Sequence, residues 1–282
     1  MTFRAMAQER GTCPVGRAAN AVQPRIDGGP ASVRPARESA AVRGAVPCGG
    51  SVASASGEGG RTRVCGGHAW QMRTPWIVGV SGASGTPYAA AVIGALLDAG
   101  EPVDLVVSRA ARLTILDETG ATVRDAHWKD DVATWLGREL SGADLSYWPA
   151  GDLAAGPSSG SYPARGMVVV PASTAACAGI AIGLSKDLLQ RAAEVSLKER
   201  RPTVVVPRET PVTRSHLEHL IALHDAGAVV LPASPGFYGA GAQATSAQLI
   251  DFVAGKILDA LHVPHTLFHR WTGHLNAPRN PA

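Results

Sequence analysis

Small polar and charged residues follow several apolar segments of this 282-residue chain, and their types suit the binding of an anion. "VSGASG" places Ser81 and Ser84 among glycines, "VVVPAST" places Ser173 after a run of valines, and "VVVPRETP" places Arg208 and Glu209 between two prolines. A Gly/Ser turn that leads into a helix offers backbone N–H groups and hydroxyls, which favour a phosphate or the edge of a flavin. The arginine and glutamate add a cation and a carboxylate on backbone that the prolines restrict.

The elements that position these residues alternate along the chain. Segments rich in Val, Ile and Leu predict strands buried on both faces, namely WIVGVSG, PVDLVVS, GMVVVPAS, TVVVPRE and AVVLPAS. Amphipathic stretches predict helices over 87–99, 108–119, 186–198, 213–226 and 246–261. Residues 126–164 predict a short helix and a long loop over a site. The order indicates an α/β fold: a Rossmann-like, doubly wound parallel sheet in three α/β/α layers.

Ligands of such sheets bind beyond the carboxyl ends of the strands, where all the polar residues above would meet. Each alone also fits a helix cap or a surface ion pair. The ligand is not expected to be a dinucleotide, because Gly79, Gly82 and Gly85 do not have the GxGxxG spacing. In addition, the second strand ends in Ser108 and Arg109, where NAD would need an acidic residue for its ribose.

Residues 1–73 differ from the rest in composition and charge. They hold ten of the 26 basic and four of the 23 acidic residues, so this segment carries +6 and the remainder −3. The segment is rich in Gly, Ala, Arg, Pro and Ser and predicts disorder, or an over-extended reading frame whose start is Met72. Its arginines are scattered, which does not favour nucleic-acid binding. We predict three parts: this segment, one domain over 74–273, and a tail over 274–282.

Cysteine usage and hydropathy indicate the compartment. The four cysteines form no CxxC pair and no disulfide framework, which is typical of a reducing cytoplasm. No apolar run approaches the length of a membrane span. We therefore predict a cytoplasmic protein without a membrane span.

Five motifs in order resemble one family of flavin enzymes. They are GVSGASGTPYAAAV, VVSRAARLTILDET, SSGSYPARGMVVVPAST, LLQRAAEVSLKERRPTVVVPRETP and GAVVLPASPGFY. Together they resemble the UbiX/Pad-type flavin prenyltransferases over Trp76 to Trp271. The combination of LKERRP, PRETP and PGFY is highly specific.

The resemblance implies a reaction and its partners. Such enzymes join the dimethylallyl group of dimethylallyl phosphate or diphosphate to N5 and then C6 of reduced FMN, without a metal. The product, prenylated FMN, serves UbiD-type decarboxylases. Relatives are homo-oligomers with sites at subunit contacts, so a homo-oligomer is expected here.

The resemblance also implies site residues. FMN would be held by Gly82, Ala83, Ser84, Ser108, Ser173, Thr174, Ala175, Ala176 and Arg208. Catalytic roles would fall to Ser84, Glu118, Lys198 and Glu209. The prenyl phosphate would be bound by Arg191, Tyr238 and Lys256. Cations at these positions would stabilise the leaving phosphate, and Glu209 or that phosphate would take the C6 proton.

This chain departs from the family pattern at a few positions. Ala172 and Ala176 stand where relatives have Cys and a hydroxyl residue, and Lys256 replaces an expected Arg, so the bidentate fork is lost.

Two other functions remain open. An FMN-dependent cysteine-type decarboxylase would need a catalytic histidine, for which His127 is the candidate. A non-catalytic flavin carrier would need neither Lys198 nor Glu209.

His216 and His219 lie three residues apart on a predicted helix. Because no third ligand is nearby, we interpret them as solvated helix residues rather than as a metal site.

Overall fold

The computed structural model describes residues 73–237, 243–271 and 273, which lie in one compact unit. The predictions for 1–72 and 274–282 lie outside this range. The strands are β1 Trp76–Val80, β2 Val103–Val107, β3 Leu145–Pro149, β4 Gly166–Ala172, β5 Thr203–Pro207 and β6 Val229–Val230. The α-helices of these ranges are α1 Thr86–Asp98, α2 Arg109–Thr119, α3 Trp128–Leu136, α4 Thr174–Ala181, α5 Leu188–Lys198, α6 Arg214–Asp225 and α7 Ser246–Ala260.

All strand pairs are parallel, and the sheet order is β3-β2-β1-β4-β5-β6. The order reverses between β1 and β4. Successive side chains of a strand point to opposite faces, so Val78 packs in one core and its neighbour Ile77 in the other. Helices α1, α2, α3 and α7 cover the first face, and α4, α5 and α6 cover the second. The predicted Rossmann-like, three-layer α/β/α fold is confirmed.

Two elements were not predicted from the sequence. Strand β3 lies inside the segment expected to be a loop, and it is an edge strand whose residues LSYWP are only partly buried except for Tyr147. Helix α4 has the sequence TAACAGIA, whose small residues give no clear apolar stripe. The predicted strand AVVLPAS shortens to the two residues of β6. The short helix expected at the start of 126–164 is α3.

The length and hydropathy of the helices decide whether any of them could span a membrane. Among the described residues, no helix is both long and apolar enough to cross a bilayer.

The C-terminal segment is tied to α7 through one carboxylate. Asp259 accepts hydrogen bonds from Arg270 Nη2 at 2.7 Å and Nη1 at 3.2 Å. It also contacts buried His265 through Nε2 at 3.1 Å and Lys256 Nζ at 3.3 Å. Because His265 Nδ1 accepts from the N–H of Leu267, Nε2 carries the proton and donates to Asp259. The Arg270 hydrogen bonds, helped by His265 and Lys256 and opposed by partial burial, lower the pKa of Asp259 to about 2.

The lowered pKa predicts an acid-dependent contribution to stability. The ordinary value is 3.8, so the contribution is fully present above about pH 4 and is lost as the pH falls toward 2. We expect Asp259→Asn to be less stable than the parent protein at pH 7, with the difference shrinking below pH 4. Urea denaturation followed by circular dichroism at several pH values measures it.

Asp251 on the same helix provides the contrast. Burial raises its pKa, so Asp251→Asn should gain stability relative to the parent protein as the pH rises through the acid range. Parallel pH trends for the two variants would contradict the assignment.

Candidate active site

The end of β1 is fastened to the end of β4 by one buried hydroxyl. Ser81 Oγ donates to the carbonyl oxygen of Pro171 at 2.7 Å and accepts from the N–H of Ser173 at 2.7 Å. The following Gly82 lies so close to α2 that an added Cβ would overlap the Cβ of Ala110. The β1–α1 turn, the β4–α4 turn and the start of α2 are thereby held together at the carboxyl edge of the sheet.

A cavity of about 380 Å³ opens between these turns. Its lining comprises Ser81, Gly82, Ser108, Arg109, Ala110, Leu113, Ser173, Ala175, Ala176, Lys186, Asp187, Leu189 and Gln190. This includes five of the residues predicted to hold FMN, namely Gly82, Ser108, Ser173, Ala175 and Ala176. The cavity size is within the range of small-molecule sites, which start at roughly 300 Å³.

Three helices begin at this cavity. Ser108 caps α2 by accepting from Ala111 N at 3.1 Å, and Ser173 caps α4 by accepting from Ala176 N at 3.2 Å. Asp187 caps α5 by accepting from Gln190 N at 3.0 Å. The positive ends of three helix dipoles therefore face one space, which favours an anion.

The cavity also has two cations and apolar walls. Arg109 and Lys186 lie on its lining, and neither forms an ion pair with a residue of the described ranges. Leu113 and Leu189 provide apolar surface. This combination fits a ligand with an anionic group and a flat apolar ring. Sequence reasoning did not single out Lys186 and Asp187, although an Asp before an amphipathic stretch is a helix N-cap signal.

Glu118 of α2 lies against the N-terminus of α1. Its carboxylate accepts from Gly85 N at 2.8 Å, from Thr86 N at 2.8 Å and from Thr86 Oγ1 at 2.7 Å. The side chain of Ser84 lies close enough to this carboxylate to help lower its pKa. Burial alone would raise the pKa of Glu118, but the hydrogen bonds from Ser84, Thr86 and the backbone outweigh it and lower the pKa. The two predicted catalytic residues Ser84 and Glu118 are thus in contact, and Glu118 is an ionised acceptor.

Arg208 follows β5 beside the same turn. Its backbone N–H donates to Ala172 O at 3.3 Å, and its Cγ lies 3.9 Å from the position of an added Cβ on Gly85. Its Nε is buried and has no hydrogen-bond partner among the described residues. Buried donors in proteins are nearly always paired, so this nitrogen fits an acceptor that a ligand supplies.

Glu209 faces a second, smaller cavity of about 200 Å³. Thr174, Cys177, His216 and His219 also line it. Glu209 is exposed, and its Oε1 accepts from the N–H of Thr210 at 3.1 Å.

The thiol of Cys177 in this smaller cavity stays protonated, because burial raises its pKa to about 12. The described residues contain no cluster of three or more His, Cys, Asp or Glu that could hold a metal.

Arg191 and Lys256, which were predicted to bind the prenyl phosphate, and Lys198, which was predicted to be catalytic, lie away from the 380 Å³ cavity. Arg191 Nε donates to Ser158 O at 3.1 Å, and its Nη1 pairs with Glu194 at 3.0 Å. Lys198 pairs with Glu199 and lines a groove with Arg200 and Arg201. Lys256 pairs with Asp259. None of these three lines the 380 Å³ cavity.

Tyr238 and His127 are the two remaining residues that the sequence analysis named. Tyr238 lies outside the described residues. His127, the histidine that a decarboxylase would need, is exposed in a 3-10 turn before α3 and does not line the 380 Å³ cavity. The geometry therefore does not favour the decarboxylase interpretation.

Comparison with known proteins is consistent with this geometry. Residues 69–258 match the Flavoprotein family. A flavin prenyltransferase UbiX of Streptomyces coelicolor is 64% identical over 215 residues, which cover 73% of this chain and 98% of that protein. The flavin prenyltransferase UbiX of Halalkalibacterium halodurans is 39% identical, over 70% of this chain and 92% of that protein.

Solved structures give the same result. A crystal structure of AnUbiX (PadA1) in complex with FMN and dimethylallyl pyrophosphate is 35% identical with a TM-score of 0.63, covering 72% of this chain and all of that chain. A dodecameric FMN-dependent UbiX-like decarboxylase from Escherichia coli O157:H7 is 36% identical with a TM-score of 0.62, covering 71% of this chain and all of that chain. The chain belongs to the Flavoprotein family and, within it, to the UbiX flavin prenyltransferases.

Proposed function

We propose that this protein is a flavin prenyltransferase, which joins the dimethylallyl group of dimethylallyl phosphate or diphosphate to N5 and C6 of reduced FMN. The observation that carries the proposal is the 380 Å³ cavity, which is lined by five residues that the resemblance assigned to FMN. The relatives' names and the FMN complex of AnUbiX support the same activity.

The residues around the cavity fit FMN. The helix N-termini capped by Ser108, Ser173 and Asp187, with Arg109 and Lys186, would hold its phosphate. The unpaired Nε of Arg208 would donate to an acceptor of the same ligand. These contacts come from the backbone and from side chains of one subunit.

The carboxylates would have different roles. Glu118 has a lowered pKa, so it would orient the Ser84 hydroxyl and accept from it rather than carry a proton at neutral pH. Glu209 is exposed, and within the described part of the chain its carboxylate accepts a hydrogen bond only from the neighbouring N–H of Thr210, so it would be available to take the C6 proton. Reduced FMN supplies the nucleophilic ring, and the donor's phosphate leaves as its charge is stabilised by cations.

The donor's phosphate would be bound by Arg191, Lys198 and Lys256, with Tyr238. Because the first three lie away from the cavity in one subunit, we propose that a second subunit brings some of them to the flavin. Exposed apolar side chains support this arrangement, since Leu113 on the lining of the cavity is 70% exposed and Ile182 at the C-terminal end of α4 is 67% exposed. The E. coli relative is dodecameric.

The product would serve a UbiD-type decarboxylase as its cofactor, as the resemblance to the UbiX/Pad-type enzymes implies. We place the enzyme in the cytoplasm, where a buried free thiol such as Cys177 stays reduced.

The activity is tested by anaerobic incubation with reduced FMN and either donor, followed by mass spectrometry of the extracted flavin. We expect the mass to increase by one dimethylallyl unit with at least one donor. Glu209→Gln should bind FMN as the parent protein does and lose at least about 100-fold in rate, which is within the usual contribution of a general base.

Glu218→Gln is the matched control, because Glu218 is an exposed acid on α6 whose one ion pair among the described residues is with Arg214. Its rate should equal that of the parent protein. Bound FMN that stays unmodified with both donors would refute the prenyltransferase and favour a flavin carrier.

Replacing Glu118 tests its orienting role. Glu118→Gln removes the charge and places an amide group opposite the N–H donors of Gly85 and Thr86. We expect a loss of about 1–3 kcal/mol in the free energy of unfolding, as for an unsatisfied buried polar group, and slower turnover. Thermal unfolding and the prenylation rate measure the two effects.

Asp117→Asn on the neighbouring, exposed position of α2 should change neither quantity. If Glu118→Gln keeps both stability and turnover, the proposed role of the carboxylate is wrong.

A further inference from the structure

A short stretch of the β3–β4 connection crosses α5 and is bonded to it at several points. We call residues 158–162 the strap. Arg191 Nε donates to Ser158 O at 3.1 Å. Arg201 Nη2 donates to Gly160 O at 2.7 Å and to Tyr162 O at 2.9 Å. The strap is therefore held to α5 and its C-terminal end by two arginines.

The end of the strap is anchored in the sheet. Tyr162 donates its hydroxyl to Asp104 Oδ2 at 2.7 Å, and Asp104 is fully buried on β2. The other oxygen of Asp104 accepts from Arg73 Nη1 at 2.5 Å. Burial and the hydrogen bond to Asp104 raise the pKa of Tyr162, so its hydroxyl remains a donor at neutral pH. The strap is thus fixed at both ends and has little freedom to move away from α5.

The middle of the strap lies directly under the ammonium of Lys198. A Cβ added to Gly160 would lie 2.8 Å from Lys198 Nζ and would overlap Glu199 Oε1. Lys198 and Glu199 form an ion pair at this place. In its observed position the pair occupies the space that a side chain at residue 160 would fill.

A lysine needs such support if its position is to be defined. Its four-carbon stem loses rotamer entropy when it is held in one place, and an exposed ion pair offsets little of that loss. Lys198 is 46% exposed, so the pair with Glu199 alone holds it weakly.

We propose that the strap positions Lys198 for the donor's phosphate, with Gly160, Arg201 and Tyr162 as positioning residues. This inference rests on the proposed function, because it concerns a cation assigned to the leaving phosphate. The strap limits the places that the ammonium can occupy before the donor binds, and such preorganisation contributes to rate.

Gly160→Ala tests the proposal. The new methyl would displace the flexible ends of Lys198 and Glu199 rather than backbone, and Gly160 has no left-handed φ, so the fold should persist. We expect the prenylation rate to fall by about 100-fold, the effect of a misplacement of about 1 Å. FMN binding and the unfolding temperature should stay as in the parent protein, because Gly160 does not line the 380 Å³ cavity.

Gly151→Ala is the matched control in the same connection. No atom of the described residues lies within 4 Å of a Cβ added there, and its φ is not left-handed. Its prenylation rate should equal that of the parent protein. Equal rates for the two alanine variants would overturn the proposal, and so would a joint loss of FMN binding and activity in Gly160→Ala.

Chemical modification provides a readout that does not depend on activity. An N-hydroxysuccinimide ester acetylates lysines, and peptide mass spectrometry gives the acetylation rate of Lys198 relative to that of Lys129. This relative rate should change several-fold in Gly160→Ala but not in Gly151→Ala. Equal acetylation rates in the two variants would overturn the proposed role of the strap even if the parent protein made no prenylated FMN. The proposal for the strap and the proposed function can therefore fail separately. If Gly160→Ala does not fold, Arg201→Met replaces it in both measurements, since methionine can donate a hydrogen bond to neither carbonyl of the strap.

Discussion

The hydroxyl of Ser81 joins the carboxyl ends of β1 and β4 at the point where the strand order reverses. A crevice opens there because the connections from the two strands leave on opposite faces of the sheet. Holding both turns with one buried oxygen keeps their distance constant, and α2 is brought close because Gly82 has no side chain. The helix N-termini at the cavity depend on this junction for their convergence.

Charge is distributed unevenly around that junction. The cations that line the cavity, Arg109 and Lys186, have no carboxylate partner within the described ranges. The cations assigned to the donor, by contrast, are each paired, as Lys198 is with Glu199 and Lys256 with Asp259. Exposed pairs of this kind are weak, so a phosphate carrying two charges can replace the carboxylate. Weak pairing of this kind would leave these cations available to a phosphate under the proposed function.

The sequence predicted those strands and helices whose hydrophobic pattern lies within the element itself. Buried parallel strands read as apolar runs, and α1, α2, α5, α6 and α7 have helical periods within a residue or two of the predicted ends. Edge strand β3 and the alanine-rich α4 lack such patterns, because their packing partners are distant in sequence and impose the structure. The same limit applies to the site. Ser108 and Ser173 could be found at strand ends, whereas Lys186 belongs to the cavity only through the packing of α5.

By itself the sequence determined the fold class, the edge of the sheet that binds ligand and, through its motifs, the family. These follow from local periodicity and from residue types at strand ends, which short stretches of chain encode. Tertiary structure alone decided that Glu118 is an ionised acceptor at the start of α1 and that Arg208 has an unpaired buried nitrogen. It also decided that Lys198 lies on the strap, away from the cavity. Burial and hydrogen bonding depend on groups far apart in the chain, so no short motif contains them.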